Sequence, residues 1–335
     1  MSLDIQEIKR FKSFLVNAKK VLIIPHKDPD GDAIGSSLAW YNLFKENGIK
    51  GVVVSPNEVQ ITLQWMPGAD SIIIFSKDRN IALQEINDCD LALYLDFNGI
   101  GRTGDLQETL SKLVIPKITI DHHPYPDMDL SDVMISDTEV SSTCELSYSV
   151  MKYLNLKPSP FSATCLYTGI MTDTGMLNHN SSRPGLYHVI ADLLEVGVDK
   201  DYVHQEVFHS NSLSRMRLFG HALCSKLELL ADGKIAYIAL SEDELKRFDY
   251  KPGDTEGLVN YPLSIDGIEV AALITEKEPG FVKISMRSRG NLPVNDFAAK
   301  YFSGGGHRNA AGGEMKDDYE KVVKHFISVV TKHFS

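Results

Sequence analysis

The sequence predicts an α/β protein, with a doubly wound parallel-sheet domain first and a smaller α+β domain after it. Three observations carry that reading. Short runs of consecutive apolar residues alternate with helical patterns up to about residue 195. Consecutive rather than alternating apolar residues suit strands covered on both faces, as in a parallel sheet flanked by helices. Beyond residue 225 the pattern becomes strand, turn, strand, which marks antiparallel pairing.

In chain order, residues 1–15 (MSLDIQEIKRFKSFL) have a charged helical pattern and lack the apolar stretch of a signal peptide. VLIIP at 21–25 reads as the first strand. DAIGSSLAWYNLFKENG at 32–48 reads as a helix, with Asp32 placed to cap it and Gly48 to end it. Further strands are expected at 51–55 (GVVVS), 71–75 (SIIIF), 91–95 (LALYL) and 116–120 (PKITI). Helical patterns occupy 141–154, 160–173 and 185–196. This gives a first domain over 1–195 and a helical, polar connector over 196–224. The second domain, 225–335, opens with a hairpin turning at Asp232-Gly233 and continues with one turning at Pro279-Gly280. A helix at 293–302, the glycine-rich SGGGHRNAAGG (303–313) and a last helix complete it.

Composition narrows the function. The 335 residues are 43% apolar and 24% charged, as in ordinary globular proteins. The formal net charge is −11, with 19 basic against 28 acidic residues up to 225 and 15 against 17 beyond. Tight binding of long nucleic acid needs many lysine and arginine contacts to phosphate, so this balance argues against it. No run approaches the roughly 18 apolar residues of a membrane span, and no membrane partner is expected. Cys89, Cys144, Cys165 and Cys224 form no CxxC pair, and a reducing, cytoplasmic setting is the simplest reading.

The residues that can carry chemistry fall where strands end. His26 follows the first strand, Asp96 follows 91–95, and Asp121, His122 and His123 follow 116–120. In a doubly wound sheet the ligand sits beyond the carboxyl ends of the strands, so these groups should converge. Asp173 ends the helix at 160–173. Asp28, Asp30 and Asp32 crowd into five residues, and carboxylates that close repel one another unless a cation lies among them. Taken alone, DPDGD also suits a solvated turn, DHH a helix cap, and Asp173 the cap of a loop. Together, His26, Asp30, Asp32, Asp96, His122 and Asp173 form a set of four carboxylates and two imidazoles. Such a set, without cysteine, suits Mn²⁺, Mg²⁺, Fe²⁺ or Co²⁺ better than structural zinc. Two divalent ions ~3.5–4 Å apart are the usual arrangement for hydrolysing phosphate esters.

These motifs are similar to those of a known family. HKDPDGDAIGS, YLDFN, IDHHP and TGIMTDTG resemble the four motifs of the DHH phosphoesterase superfamily. ISMRS and FSGGGHRNAAGG resemble the DHHA1 domain that often accompanies it. The resemblance spans nearly the whole chain. The compact length and GGGH ending look like the branch of oligoribonucleases (nanoRNases) and adenosine 3',5'-bisphosphate (pAp) phosphatases. It implies phosphoester hydrolysis by a hydroxide that two metal ions, Mn²⁺ first among them, activate. It further implies that His26, Asp30 and Asp96 hold one ion, and Asp32, Asp96, His122 and Asp173 the other, with Asp96 bridging. Asp28 matches no ligand position and is left to an outer role or to solvent. Asp121 is expected to support His122 or its loop. His123 is expected to contact a phosphate oxygen or to assist the leaving group, and both roles stay open.

The second domain is expected to bind substrate. Gly304, Gly305 and Gly306 would let backbone N–H groups approach an anion, with His307 and Arg308 as further donors. Arg287 can grip phosphate with two parallel hydrogen bonds. Arg102, in GIGRTG, is placed to reach the site from the loop after Asp96, though a surface arginine is nearly as good a reading. No basic run or aromatic ladder for a long strand is evident. The expected partner is a short nucleotide held between the two domains: pAp, di- to pentanucleotide RNA or a linear dinucleotide. A homodimer is compatible with the sequence. The alternatives are an exopolyphosphatase or inorganic pyrophosphatase, against which SGGGHRNAAGG speaks, and a nucleotide-binding sensor without catalysis, against which the complete ligand set speaks.

Overall fold

The computed structural model describes residues 4–334, so the first three residues of the expected N-terminal helical pattern lie outside it. The chain divides into two units between Ser210 and Asn211. In the first, strands β1 (Lys20–Ile24), β2 (Lys50–Ser55), β3 (Ile73–Ile74), β4 (Leu91–Leu95), β5 (Lys117–Asp121) and β6 (Val133–Ser136) form one parallel sheet in the order β3-β2-β1-β4-β5-β6. The chain moves outward from β1 to β3, then returns to the other side of β1 to place β4. A reversal of this kind opens a crevice beyond the carboxyl ends of the two central strands.

Helices α1 (Ile5–Asn17), α2 (Gly31–Glu46), α3 (Arg79–Asn87), α4 (Gln107–Ser111), α5 (Thr143–Tyr153), α6 (Pro160–Asp173), α7 (Pro184–Val196) and α8 (Lys200–His204) surround the sheet. Val21, Ile23, Leu93 and Leu95 share one core with Phe11, Leu38, Val150 and Ile170, from α1, α2, α5 and α6. Leu22, Ile24, Ala92 and Tyr94 share the other with Ala82 and Ile86 of α3 and Leu110 of α4. Both faces of β1 and β4 are therefore covered, which is why β4 and, beyond Lys20, β1 carry unbroken apolar runs. Burying each large aliphatic side chain contributes roughly 1.5–3 kcal/mol, so the strand ends that carry the site are firmly anchored.

Helices α2, α5 and α6 pack unusually close. A Cβ on Gly35 would lie 2.7 Å from the Cys165 carbonyl oxygen, and one on Gly169 would overlap Cys144 Sγ. Only glycine allows this approach, and it brings the start of α2, the start of α5 and the end of α6 to one place.

Two local expectations change. The cap of α2 is Asp30, whose Oδ1 accepts from the N–H groups of Asp32 at 3.0 Å and Ala33 at 3.1 Å. Asp32 falls inside the first turn and is buried. The helix ends as expected, with Gly48 at φ 73°. The strand expected at 71–75 shrinks to two residues, because Ala69–Ser71 form a 3₁₀ turn.

The second unit contains α9 (Leu213–Ser225), β7 (Leu227–Leu230), β8 (Ile235–Leu240), α10 (Glu242–Arg247), β9 (Val270–Glu278), β10 (Phe281–Ser288), α11 (Val294–Tyr301), β11 (Gly305–His307), β12 (Ala310–Lys316) and α12 (Tyr319–Phe334). Its sheet runs β11-β12-β10-β9-β8-β7, parallel between β8 and β9 and antiparallel elsewhere. Val270, Ala272, Ile284 and Met286 pack on Phe297 and Phe326 of α11 and α12. On the opposite face, Ile238 and Leu273 pack on Leu218 and Ala222 of α9. The glycine-rich stretch forms a hairpin, with Gly305–His307 paired to Ala310–Gly312. A Cβ on Gly304 would overlap the Gly312 carbonyl oxygen, so close passage of two backbones accounts for that glycine. Among the described residues, no helix is long and apolar enough to cross a membrane.

Candidate metal centre

The crevice beyond β1 and β4 collects the polar residues. His26 lies just past β1, Asp96 directly follows β4, and Asp121 ends β5 with His122 next. Asp32 enters from the first turn of α2 and Asp173 from the last residue of α6. The loops after β1 and β4 are tied together, since the Lys27 N–H donates to the Arg102 carbonyl at 2.7 Å. Asp96 adopts φ 67°, in the left-handed region that aspartate tolerates better than most residues. Its N–H still donates to the Ile120 carbonyl at 3.1 Å, so the turn begins on the last rung of the β4–β5 ladder.

Two lobes meet at Asp96. Its Oδ2 is 3.5 Å from His26 Nε2, which is 3.8 Å from Asp30 Oδ2. Its Oδ1 is 3.6 Å from His122 Nε2, which lies 3.7 Å from both Asp32 Oδ2 and Asp173 Oδ2. One atom each from His26, Asp30 and Asp96 falls within 4.8 Å of the others, and the same holds for Asp32, Asp96 and His122. These separations are too long for hydrogen bonds. They fit atoms around a shared ion, since two ligand atoms each about 2.1 Å from one ion stand at most about 4.2 Å apart.

The electrostatics agree with that fit. Asp32 and Asp96 are each 1% exposed and His122 2% exposed, so water screens them little. Among the described residues, no lysine or arginine pairs with Asp30, Asp32, Asp96 or Asp173, and imidazoles face them instead. Burial, with the charges of Asp96, Asp173 and Asp30, pushes Asp32 well above the usual carboxylate range. Burial, with Asp30 and Asp96, pushes Asp173 up to about 6. Burial disfavours charge on His26, yet Asp30 and Asp96 hold its imidazolium up to about 10. Burial also works against charge at Asp96, but the neighbouring His26 imidazole and the charges of His123 and His122 hold its carboxyl below the usual range. A buried group of acids short of positive charge is what divalent cations neutralise, and the residues present fit such ions.

The neighbouring residues sort themselves out. Asp121 is expected from the sequence to support His122 or its loop, and the side chain it meets is His123. Its Oδ1 lies 2.8 Å from His123 Nδ1, because alternate residues of an extended chain share a side. Burial lowers the His123 pKa, but Asp121 and Asp96 more than offset this and leave it raised. Arg102 is exposed, yet near enough for its charge to oppose protonation of His123. Asp28 is exposed and lies outside the cluster, exchanging two hydrogen bonds of 2.6 Å with the Asn57 side chain.

Sequence reading missed Thr143 and Cys144. Their N–H groups donate to Asp32 Oδ2 at 2.6 Å and Oδ1 at 2.9 Å, and Thr143 Oγ1 donates to Asp96 Oδ1 at 2.8 Å. They begin α5, where Ser142 Oγ accepts from the Glu145 N–H at 3.0 Å. The Ser-x-x-Glu spacing signals a helix start, but says nothing about what that start faces.

In the second unit the strand register aligns the expected phosphate ligands. Arg287 pairs with Ala310, and Ala310 with His307, so Arg287 and His307 share one face with an alanine between them. Ser285, Gly312 and Gly305 form the next row of that face. Arg287 Nη1 also donates to the Met286 carbonyl at 2.9 Å. Arg308 sits in the hairpin turn, outside this row, and its Nη2 donates to the Asn291 carbonyl at 3.2 Å.

A buried His/Asp cluster at the reversal point of a doubly wound sheet defines a site suited to divalent metal ions. Residues 20–170 match the DHH family, N-terminal domain, and residues 232–335 match the DHHA1 domain. The chain belongs to the DHH family, whose phosphoesterases depend on metal ions. Its fold is similar to the crystal structure of an exopolyphosphatase-related protein from Bacteroides fragilis, with 37% identity and a TM-score of 0.91, covering 98% of this chain and 97% of that one. The probable bifunctional oligoribonuclease and PAP phosphatase of Streptococcus mutans is 26% identical over 322 residues, covering 93% of this chain and 97% of that protein. The bifunctional oligoribonuclease and PAP phosphatase of Thermus thermophilus is 27% identical over 321 residues, covering 91% and 88%.

Proposed function

We propose that this phosphoesterase acts on short nucleotides, removing a phosphate from pAp and cleaving oligoribonucleotides of a few residues. The observation that carries the reading is the row on the second unit's sheet, where a guanidinium and an imidazole flank small side chains. Such a floor admits a phosphate between two donors without steric obstruction. Two relatives named as oligoribonuclease and PAP phosphatase match over most of their length, which supports the same substrate class. The acidic balance disfavours long strands.

His26, Asp30 and Asp96 would hold one divalent ion, and Asp32, Asp96, His122 and Asp173 a second, with Mn²⁺ the proposed metal. When bound, such metals supply a nucleophile at neutral pH and neutralise charge on the phosphoryl group. The chain contributes the rest. Asp96 directs one oxygen to each lobe, and the start of α5 fixes Asp32. Asp121 occupies His123 Nδ1, so proton exchange with a substrate oxygen runs through Nε2. Arg287 and His307 bind a phosphate group of the nucleotide.

The similarity to an exopolyphosphatase-related protein favours a second reading, polyphosphate hydrolysis. A panel assay with Mn²⁺ separates them, using pAp, an RNA dinucleotide, pyrophosphate and tripolyphosphate. Faster turnover of pAp or the dinucleotide is expected. Preference for tripolyphosphate would establish the second reading, and binding of pAp without turnover of any substrate would make the chain a sensor.

A further inference from the structure

We propose that Thr143 is the residue that orients Asp96, so that one carboxylate oxygen faces each lobe of the metal centre. This rests on the metal-dependent reading above. The terminal torsion of an aspartate is soft, so its carboxylate turns readily unless something holds it. His26 Nε2 at 3.5 Å from Oδ2 and His122 Nε2 at 3.6 Å from Oδ1 draw the two oxygens in different directions. Neither is a hydrogen bond by length. The Thr143 hydroxyl is one, at 2.8 Å to Oδ1. Thr143 is fully buried, so this donor has no exchange with water.

The same residue reaches the neighbouring acid. Its N–H donates to Asp32 Oδ2 at 2.6 Å, so one residue fixes two carboxylates of the lobe that contains His122. Thr143 is itself held. It opens α5 behind Ser142, and the Glu145 carboxylate accepts from the Ser141 N–H at 2.7 Å while pairing with Arg183. A rigid backbone therefore sets where the hydroxyl stands. Thr143 acts through Asp96 and Asp32 and is a positioning residue.

The test uses the full chain stripped of metal. Thr143→Val removes the hydroxyl and keeps the shape, whereas Thr143→Ser keeps the hydroxyl and loses a methyl group. Mn²⁺ is titrated by calorimetry, spin coupling between bound ions is read by electron paramagnetic resonance, and Tm is measured alongside. The valine variant should bind one Mn²⁺ as the parent does and a second about 10- to 100-fold more weakly, with reduced coupling. The serine variant should bind both ions as the parent does, with only its Tm lowered. Equal binding of both ions by the valine variant would overturn the assignment and leave the metal reading intact. Loss of the second ion in the serine variant to the same extent would also overturn it, because packing and not the hydroxyl would then be responsible. A parent that binds no Mn²⁺ would overturn the proposed function and this inference with it. If the valine variant does not fold, Thr143→Ala replaces it under the same criteria.

Discussion

The Asp121 carboxylate meets the His123 imidazole, Oδ1 to Nδ1, at 2.8 Å, while His122 between them directs Nε2 toward Asp32 and Asp173 at 3.7 Å. Two adjacent histidines thus hold different posts, one among the candidate metal ligands and one oriented by a buried acid. Asp121→Asn keeps the shape but removes the charge that holds the His123 ring. We expect kcat to fall about 10- to 100-fold, the range for lost supports of a metal site, with Mn²⁺ stoichiometry unchanged. Unaltered kcat would show that His123 needs no such partner.

Asp96 serves both lobes. Asp96→Asn preserves its volume and removes the charge that keeps two cations together. Turnover should fall by at least ~10²-fold, and calorimetry should find fewer than two Mn²⁺ per chain. Near-normal turnover would end the bridging assignment, though not the family membership.

Chelation should abolish activity, and Mn²⁺ should restore it better than Ca²⁺, which prefers more oxygen ligands and longer bonds than this His/Asp set provides. Full turnover in excess chelator, with metal removal confirmed by elemental analysis, contradicts the metal centre.

Arg287→Ala and His307→Ala should leave metal binding intact and act on nucleotide substrates. Losing a charge-assisted phosphate contact costs roughly 1.5–3 kcal/mol, about ten- to a hundredfold in kcat/KM. A nitrophenyl phosphoester lacks the second phosphate and should suffer much less. Equal losses on both substrates would assign these residues to the chemical step or to the fold.

Glu244 predicts an acid sensitivity within the second unit. Its carboxylate accepts from the Ser241 N–H at 3.0 Å and pairs with His221 at 3.0 Å and Lys226 at 3.1 Å. Burial opposes the charge, but these partners lower the pKa from 4.5 to about 2. A depressed carboxylate stabilises the fold fully above its unfolded value, and that stability drains away as pH falls from 4.5 toward about 2. Glu244→Gln should cost about 1–2 kcal/mol at pH 7, allowing for solvent screening, and the gap from the parent should close through that window. Denaturation curves at pH 7 and in the acid window check this, and a gap independent of pH would refute it.

Much of the fold can be read in the sequence because its signals are local. Unbroken apolar runs at 21–25 and 91–95 mark strands covered on both faces, and Asp232-Gly233 and Pro279-Gly280 mark turns. Position at a strand end was enough to single out His26, Asp96 and His122, since a doubly wound sheet gathers its strand ends on one edge. The cap of α2 is Asp30 and not Asp32, because the two are chemically alike and only the backbone path decides which one folds back on the first turn. The hairpin at 303–313 is not legible in the sequence, as glycine permits both a free turn and a crowded hairpin.

The sequence by itself determined which residues are candidates to hold metal and which strand ends carry His26, Asp96 and His122, because spacing and side-chain chemistry are written along the chain. Only the tertiary structure decided which atom meets which. Thr143 lies 47 residues from Asp96 and 111 from Asp32, so no local pattern links them. They meet because Gly35 and Gly169 let α2, α5 and α6 pack closer than any side chain would allow. That approach depends on the packing of distant segments. It is what turns a set of metal-compatible residues into two lobes joined at a single carboxylate.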